Sequence, residues 1–345
     1  MTTILHPLEG ASGQSHEIVV YEPHRARRRM VKLPSRPPLT FPLDLLVPLV
    51  PPAVDCWFAL NSLACARGLL ARRLGRAGRV AYWCIDFVPD RFGEGRLTRV
   101  YDSLDALCCT SADARFELSE AALEGRNRRH ALPPSRMAPA QVVPMGAWVH
   151  RVPRTPPDGW RARRVIFAGG LVERQGVDVL ITALGLLAAR GVEFGADVIG
   201  RGPLDQHLRG AAHRLGLDGR VEFHGFVPDA GMERLLSQAS VAVAPYATSA
   251  TSFTRFADPG KLKAYLAAGL PIVTTDVPPN ADELQRRGGA EVVDFEPEAL
   301  ADALERGLAS PEQWQQRRLA ALTLAATFDW PPTFARAVAA LGFSP

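Results

Sequence analysis

The alternation of short apolar strands and amphipathic helices between residues 160 and 310 constrains the fold more than any other feature of this sequence. The predicted strands are Arg164–Ala168, Ala196–Ile199, Val221–His224, Val241–Pro245, Ile272–Thr275 and Glu291–Asp294. A helical stretch separates each strand from the next, and the first stretch, which starts at Val177, ends at Gly191. Strands connected through helices of this length form a parallel sheet whose two faces are both covered. The pattern predicts a doubly wound domain.

The N-terminal half has the same pattern in a less regular form. Strand-like runs occur at Glu17–Tyr21, Asp55–Leu60, Val80–Ile85 and Ala106–Thr110, and Asn61–Leu74 has helical spacing. The interval between a strand at Thr3–Leu5 and the run at Glu17 is too short for a full crossover helix. Either the first strand–helix unit is shortened, or Glu17–Tyr21 is itself the first strand.

Proline-rich stretches divide the chain. Residues 151–160 contain three prolines and are predicted to link one domain, residues 1–150, to a second, residues 161–328. Pro331 and Pro332 then interrupt the chain before a last amphipathic helix within residues 329–345. The predicted fold class is therefore α/β, with two doubly wound, Rossmann-like domains facing a cleft.

Composition excludes several classes of protein. The apolar stretch from Phe41 to Pro52 is broken by Pro42, Asp44 and Pro48, so it does not predict a membrane span. With no secretory leader pattern at the N-terminus, we expect a cytoplasmic protein. None of the five cysteines forms a C-x-x-C pair, and we expect buried, reduced thiols at Cys56, Cys65, Cys84, Cys108 and Cys109.

The net charge is only +4, but basic residues cluster at 25–32 and at 126–130. Such clusters are usually solvated surface; the alternative is contact with a phosphate-bearing partner or an anionic membrane, which would make the protein membrane-peripheral. No interleaved aromatic residues accompany them, so nucleic acid is not an expected partner.

Glycine-rich loops follow the first two strands of the C-terminal domain. Gly169 and Gly170 precede a helix, and Gly200-Arg201-Gly202 repeats the arrangement one unit later with an added cation. In an open parallel sheet, ligands bind at the carboxyl ends of the strands. Glycines there allow a phosphate to approach backbone amides and a helix N-terminus, although each loop alone could be a plain tight turn.

The segment from Pro245 to Val273 carries the strongest signal. A loop of small hydroxyl residues and Phe253, including Ser252 and Thr254, leads into Asp258-Pro259-Gly260-Lys261-Leu262-Lys263 and a helix that ends at Gly269. Two lysines at a helix N-terminus are unfavourable for the helix dipole. An anionic ligand would explain Lys261 and Lys263, because cations and free amides together neutralise a diphosphate.

Four motifs in order resemble the donor domain of the GT-B glycosyltransferases, and most closely the retaining group that includes bacterial mannosyl- and glucosyltransferases (glycosyl transferases group 1). They are Gly169-Gly170 with Gly176-Val177-Asp178, Ile199-Gly200-Arg201-Gly202-Pro203, Val221–Val227 and Tyr265–Val273. The resemblance covers roughly residues 163–307. It implies that residues 161–328 bind a nucleotide sugar, that residues 1–150 bind the acceptor, and that residues 329–345 return to the N-terminal domain.

The resemblance implies a set of donor-binding residues: Gly169, Gly170, Gln175, Gly200, Arg201, Gly202, Phe226, Ser252, Phe253, Thr254, Asp258 and Lys263. Some family positions differ here. Gly170 and Gln175 replace the usual arginine and lysine, and Arg174 is a substitute cation. Phe256 and Ala264 replace two glutamates, and Asp258 and Lys261 are the residues we expect to act in their place.

Three polar residues of the N-terminal half are candidates for the acceptor side. Asp86 ends a strand and could orient or deprotonate an acceptor hydroxyl; the alternative is a cap or an ion pair with Arg91. His16 and Asn61 are predicted acceptor contacts, with a surface histidine and a helix N-cap as their alternatives.

The predicted activity is transfer of a sugar from a nucleotide diphosphate to a glycan, lipid or natural-product acceptor. The resemblance implies retention, in which the departing phosphate accepts the acceptor's proton and Arg174 and Lys261 stabilise the leaving diphosphate. The absence of an Asp-x-Asp motif predicts no metal site, and no cofactor is expected beyond the donor. Two alternatives are a sugar-nucleotide epimerase or phosphorylase on the same fold, and a catalytically silent glycosyltransferase-like partner.

Overall fold

The computed structural model describes residues 1–5, 15–22, 25–32, 53–248 and 253–344. These residues form two compact units. The first, here called the N-terminal unit, contains Met1–Glu117, Arg126–Gln141 and Ala340–Phe343. The second, the C-terminal unit, contains Leu118–Gly125 and Val142–Ala339.

The N-terminal unit contains two sheets. The strands β1 (Thr2–Leu5), β2 (Ser15–Glu22) and β3 (Arg25–Lys32) pair antiparallel in that order. Only two residues separate β2 from β3, a connection that suits a hairpin and is far too short for a parallel crossover. The chain therefore begins with a meander, and not with the shortened strand–helix unit that the sequence left open.

The second sheet of this unit has the order β4 (Val54–Ala59), β5 (Ala77–Cys84), β6 (Ala114–Glu117) and β7 (Ala140–Val142), and β4, β5 and β6 are parallel. The helices α1 (Ser62–Arg73), α2 (Arg96–Ser111) and α3 (Glu120–His130) alternate with these strands. The prediction of a strand at Ala106–Thr110 is wrong, because these residues form the end of α2 and the strand begins at Ala114.

The C-terminal unit is a six-stranded sheet with the order β10-β9-β8-β11-β12-β13, in which all pairs are parallel. Its strands are β8 (Arg164–Ala168), β9 (Gly195–Ile199), β10 (Val221–Gly225), β11 (Val241–Ala244), β12 (Ile272–Thr275) and β13 (Glu291–Val293). The chain order along the sheet is third, second, first, fourth, fifth, sixth. This is the doubly wound order, and it confirms the predicted architecture of this half.

Helices cover both faces of the six-stranded sheet. They are α4 (Val177–Ala189), α5 (Asp205–Arg214), α6 (Asp229–Ser237), α7 (Gly260–Ala268), α8 (Ala281–Arg287), α9 (Pro297–Ala309) and α10 (Pro311–Ala325), and a last helix, α11 (Trp330–Ala340), follows them in the chain. Successive residues of β8 point to opposite faces of the sheet: Ile166 packs in one core and Phe167 in the other. This two-residue period is the expected result of burying both faces of a parallel strand.

Residues 151–160 pack on the C-terminal unit, and the division between the units falls earlier, between Gln141 and Val142. Thr155 is buried, its backbone N–H donates to the carbonyl oxygen of Ala268 at 2.8 Å, and its own carbonyl accepts from Arg318. None of the helices in the described ranges combines the length and apolarity needed to cross a bilayer.

Candidate functional site

The two glycine loops meet at the point where the order of the sheet reverses, between β8 and β11. The Gly169 N–H donates to the carbonyl oxygen of Ile199 at 2.9 Å, and the Leu171 N–H to that of Arg201 at 3.0 Å. A Cβ on Gly200 would lie 1.8 Å from the Gly169 carbonyl oxygen, so this glycine permits close backbone contact between the loops. By contrast, Gly170 is exposed, and a Cβ there would meet no atom nearer than 4.0 Å. The surface open to a ligand therefore lies at Gly170.

Lys261, at the start of α7, reaches the first glycine loop. Its Nζ donates to Gln175 Oε1 at 2.5 Å and lies so near Gly169 that a Cβ on that glycine would be 2.7 Å from it. The ammonium also lies 4.2 Å from the ring centre of Phe167 and 5.0 Å from that of Tyr246. The structure thus brings Lys261 to Gly169 and Gln175, which the sequence placed in a different motif.

The environment of Lys261 opposes its positive charge. Burial first, and then the positive charge of Arg174, lower the pKa of Lys261 from its ordinary 10.5 to about 7. No carboxylate among the described residues forms an ion pair with Lys261 that would offset this cost. An anion bound beside Gly170 would supply the missing counter-charge.

Arg174 lies in a short 3₁₀ turn, Glu173–Gln175, directly before α4. Its guanidinium carbon is 4.8 Å from the ring centre of Phe253, and its carbonyl oxygen accepts the Ala247 N–H at 3.1 Å. The side chain is exposed. Arg174 and Lys261 therefore give this edge of the sheet two cations.

Asp258 and Lys263 form a buried ion pair, which corrects part of the sequence argument. Lys263 Nζ lies 2.9 Å from Asp258 Oδ1, its side chain is 1% exposed, and it lies 3.6 Å from the ring centre of Phe328. The other oxygen of Asp258 accepts the Met145 N–H at 2.7 Å. The expectation that both lysines need an external anion therefore does not hold for Lys263, because Asp258 already neutralises its charge.

The remaining predicted donor contacts differ in accessibility. Arg201 is exposed, and Phe226, which follows β10, is 69% exposed, a large value for an aromatic side chain. Phe253 is half-buried, Thr254 is buried, and Ser252 lies outside the described residues.

Two of the predicted acceptor residues have local partners. Asp86 forms an ion pair with Arg91, and its backbone carbonyl accepts from Arg126 at 2.7 Å. The Asn61 side chain caps α1 by accepting the Ala64 N–H at 2.8 Å. His16 is part of β2, but its side chain lies outside the described part of the structure.

Phe167 and Tyr246 were not predicted as site residues, although both contact Lys261. Phe167 belongs to an apolar strand, and the sequence pattern predicts only that it is a buried core residue. Tyr246 lies two residues after the end of β11, at the ligand-binding edge of the sheet, and this position was the signal that could have identified it.

Two clusters of potential metal ligands occur among the described residues: Asp105 with Cys109 and His130, and Asp197 with Glu222 and His224. In each, an arginine already binds the central aspartate, since Arg126 Nη1 lies 2.5 Å from Asp105 Oδ2 and Arg164 Nη2 lies 2.6 Å from Asp197 Oδ1. A divalent cation would have to compete with these guanidinium groups.

Comparison with known proteins shows which fold this chain shares. The chain has the GT-B fold: it superimposes on the UDP-forming α,α-trehalose-phosphate synthase of Burkholderia xenovorans with a TM-score of 0.72 at 15% identity, over 96% of this chain and 90% of the synthase. It superimposes on Anabaena Alr3699/HepE, solved with UDP and glucose, with a TM-score of 0.66 at 17% identity, over 84% of this chain and 78% of that one.

Residues 162–310 match the model of the glycosyl transferases group 1 family. Over 152 residues the chain is 30% identical to the putative colanic acid biosynthesis glycosyltransferase WcaL of Salmonella typhimurium, covering 44% of this chain and 36% of WcaL. The chain spans about a third of the length of the curated relatives that it matches.

Proposed function

We propose that this protein is a glycosyltransferase that moves a sugar from a nucleotide diphosphate to an acceptor hydroxyl or amine. The observation that carries the proposal is the position of Lys261, a cation without a carboxylate partner in the described structure, which lies beside Gly169 and so one residue from the exposed Gly170. The family of residues 162–310 supports the same reaction class.

A uridine diphosphate donor is the first choice for this site. The neighbour HepE was solved with UDP and with UDP-glucose, and its likeness to this chain is a likeness of fold. Two cations, Arg174 and Lys261, match the two negative charges of a nucleotide-sugar diphosphate.

The reaction we propose is retaining and independent of metal and of any further cofactor. The bond from the anomeric carbon to the diphosphate breaks, the acceptor oxygen attacks the same face, and its proton passes to the departing phosphate oxygen. Lys261 in its protonated form and Arg174 stabilise the negative charge that develops on that oxygen. Gly170 lets the phosphate approach the backbone.

The acceptor belongs, in this proposal, to the N-terminal unit and is a glycan, a lipid or a natural product. Asp86 is the candidate for orienting its hydroxyl, which requires the carboxylate to exchange its contact with Arg91 for the acceptor. We place the reaction in the cytoplasm, with contact to an anionic membrane as part of the same proposal.

One observation favours a second function, that of a catalytically silent partner protein. Phe256 and Ala264 occupy the positions where the family carries two glutamates. Neither side chain carries a carboxylate: the Phe256 backbone carbonyl accepts the Ser119 hydroxyl at 2.7 Å, and Ala264 packs against the core of the C-terminal unit.

A donor-turnover assay separates these functions. The purified protein is incubated with UDP-glucose, UDP-galactose, UDP-N-acetylglucosamine and GDP-mannose, each with and without a mixture of acceptors, and released nucleotide is measured. Transfer predicts acceptor-dependent release that persists in chelator and is lost in Lys261→Ala but kept in Arg286→Ala, an exposed charge on α8. Turnover without acceptor indicates an epimerase or phosphorylase, and no turnover with any donor indicates the silent partner.

A further inference from the structure

Asp86 and Arg91 lie on the loop that follows β5, at the carboxyl edge of the parallel sheet in the N-terminal unit. Ligands of an open parallel sheet bind at this edge. The Asp86 side chain is 41% exposed and that of Arg91 is 29% exposed, so solvent reaches both partners of their ion pair. The pair therefore lies where an acceptor could contact either group.

Two arginines of α3 fix the conformation of this loop. Arg126 donates from Nη2 to the Asp86 carbonyl oxygen at 2.7 Å, and Arg129 Nη2 lies 2.7 Å from Asp90 Oδ1. Asp90 has a φ of 51°, in the left-handed region that residues other than glycine seldom adopt. Because Arg129 binds its side chain, this turn is held in place, and the loop presents Arg91 in a defined position.

Arg91 has one charged partner in the described structure. Its Nη2 donates to Asp86, whereas its Nε is buried and has no acceptor among the described residues. The guanidinium carbon lies 5.6 Å from the ring centre of Tyr101 on α2. Burial opposes the charge of Arg91, but the adjacent Asp86 carboxylate outweighs this effect and raises the pKa of Arg91. The guanidinium therefore needs an anion at the position that Asp86 occupies.

The other carboxylates of this region differ in their availability. Asp90 and Asp102 both bind Arg129, each at 2.7 Å. Glu94 is exposed and forms no ion pair within the described ranges, and the exposed Arg96 lies two residues after it. Glu94 is therefore the carboxylate whose competition for Arg91 an experiment has to measure.

We propose that Arg91 binds an anionic group of the acceptor, a carboxylate or a phosphate, while Asp86 orients the acceptor hydroxyl. The inference rests on the proposed function, in which the Asp86 carboxylate exchanges Arg91 for the acceptor. That exchange alone would leave a partly buried guanidinium without a counter-charge, which is unfavourable. An acidic acceptor brings the missing charge with it, and a guanidinium binds either oxyanion through directed, charge-assisted hydrogen bonds. The acceptor class that fits is a sugar acid or a phosphorylated sugar.

Paired acceptor analogues test the inference by calorimetric binding to the whole protein with UDP present. In the first pair, para-nitrophenyl β-D-glucuronide has a carboxylate where para-nitrophenyl β-D-glucoside has a hydroxymethyl group. Glucose 6-phosphate and glucose form the second pair. We expect the charged member of one pair to bind about tenfold more tightly than its neutral counterpart. The pair that shows the preference distinguishes a carboxylate from a phosphate.

Variants at Arg91 and Asp86 separate recognition from structure. Arg91→Gln should remove the preference without changing the affinity for UDP, and Arg91→Lys should keep part of it. Asp86→Asn removes the internal competitor, so the charged analogue should bind more tightly although transfer slows. A pair with only a structural role would not show this gain, and the gain decides the question even if Arg91→Gln unfolds. As a matched control, Arg96→Gln removes an exposed arginine and should bind every analogue like the unchanged protein.

Four results would overturn the inference. Equal affinities within both pairs, or a preference that survives Arg91→Gln, would show that Arg91 binds no anion of the acceptor. A preference lost in Lys261→Ala would place the anion in the donor site. A larger gain in Glu94→Gln than in Asp86→Asn would show that Glu94 is the competing carboxylate.

Failure of the proposed function gives a different result. A preference that depends on Arg91, in a protein that transfers sugar from no donor, would overturn the transferase and leave an anion-binding site at this loop. Transfer at equal efficiency to the charged and neutral members of both pairs would overturn the inference and leave the transferase.

Discussion

Lys261 carries the strongest single-residue argument in this protein because its pKa ties its position to a measurable quantity. In the folded protein the pKa is about 7, whereas in the unfolded chain it is near 10.5. Between these values the unfolded chain binds a proton that the folded protein has released. The free energy of unfolding should therefore rise as pH increases from about 7 to about 10, and below this window the full cost of the buried charge remains.

Urea unfolding at several pH values within this window tests the shift. Lys261→Met removes the titrating group, so the variant should show a smaller rise in stability with pH than the unchanged protein. Parallel curves for the two proteins would show that Lys261 titrates normally.

The second prediction concerns catalysis by the same residue. Lys261→Ala should leave the fold as stable as before or slightly more stable, because the helix dipole term of about 0.3–1 kcal/mol no longer opposes α7. Loss of a donor to the leaving phosphate should lower the turnover number by about 10²–10³-fold. Lys261→Arg should recover only part of the activity, because a planar guanidinium replaces a compact ammonium. An unfolded variant would make the role structural, and full activity would leave Arg174 as the phosphate's cation.

The third prediction adds a charge at Gln175, whose side-chain oxygen accepts from Lys261. Gln175→Lys places a third cation at the glycine loop, where UDP after transfer carries one more negative charge than the donor. UDP should bind more tightly by up to about tenfold and inhibit turnover more strongly, and added salt should reduce the gain. Gln285→Lys on α8, which adds the same charge at an exposed position, should leave UDP affinity unchanged. Equal affinities of the two variants for UDP would show that residue 175 does not lie near the bound diphosphate.

The sequence predicted which residues meet at this edge of the sheet better than it predicted their partners. Gly169, Gly170 and Lys261 could be placed because strand ends of a parallel sheet converge at the switch point. The ion pair between Asp258 and Lys263 could not be predicted, because both residues face a core that also includes Phe328, far along the chain. The aromatic contacts of Lys261 were missed for the same reason, since Phe167 has the sequence character of any buried strand residue.

At the level of elements, the strand–helix alternation of residues 164–309 was predicted to within a few residues at each boundary. The failures occur where local pattern is ambiguous. Ala106–Thr110 is a short apolar run that suits a buried strand as well as a buried helix turn, and only packing against α1 resolves it. The meander of β1–β3 was missed because strongly basic β3 does not have the composition of a strand.

Asn61 provides a prediction at this scale, because the structure gives it a cap and the sequence also proposed an acceptor contact. Asn61→Ala removes the hydrogen bond to the Ala64 N–H and should lower the free energy of unfolding by about 1 kcal/mol. Asn61→Ser, which retains a capping oxygen, should restore the stability. If Asn61 only caps α1, both variants keep the KM for acceptor; a raised KM in a fully stable Asn61→Ser variant would instead support acceptor contact.

At the scale of the whole molecule, the two units differ in what their interiors contain. The C-terminal unit buries two mainly apolar clusters, one on each face of its sheet. The N-terminal unit has a smaller apolar cluster and buries Arg115, Glu117 and Arg126 together with Asp105. Burying charged groups has a large desolvation cost unless each group is paired. The N-terminal unit should consequently be the more sensitive to changes in protonation.

Acid unfolding offers the sharpest test of this difference, with Asp105 as the probe. Burial opposes the Asp105 charge, but bonds from His130, Arg126 and Tyr82 outweigh it and lower its pKa from 3.8 to about 2. The stability that ionised Asp105 provides is therefore complete above about pH 4 and is lost as pH falls towards about 2. The difference in free energy of unfolding between the unchanged protein and Asp105→Asn should stay constant above that window and shrink within it. Asp282→Asn, at an exposed pair with Arg286, should give a small difference that varies little with pH.

Hydrogen exchange should show β5 and α2 losing protection before the strands of the C-terminal unit as acid is added. Simultaneous loss in both units, or a difference for Asp105→Asn that does not change with pH, would show that this buried network does not set the acid stability of the protein.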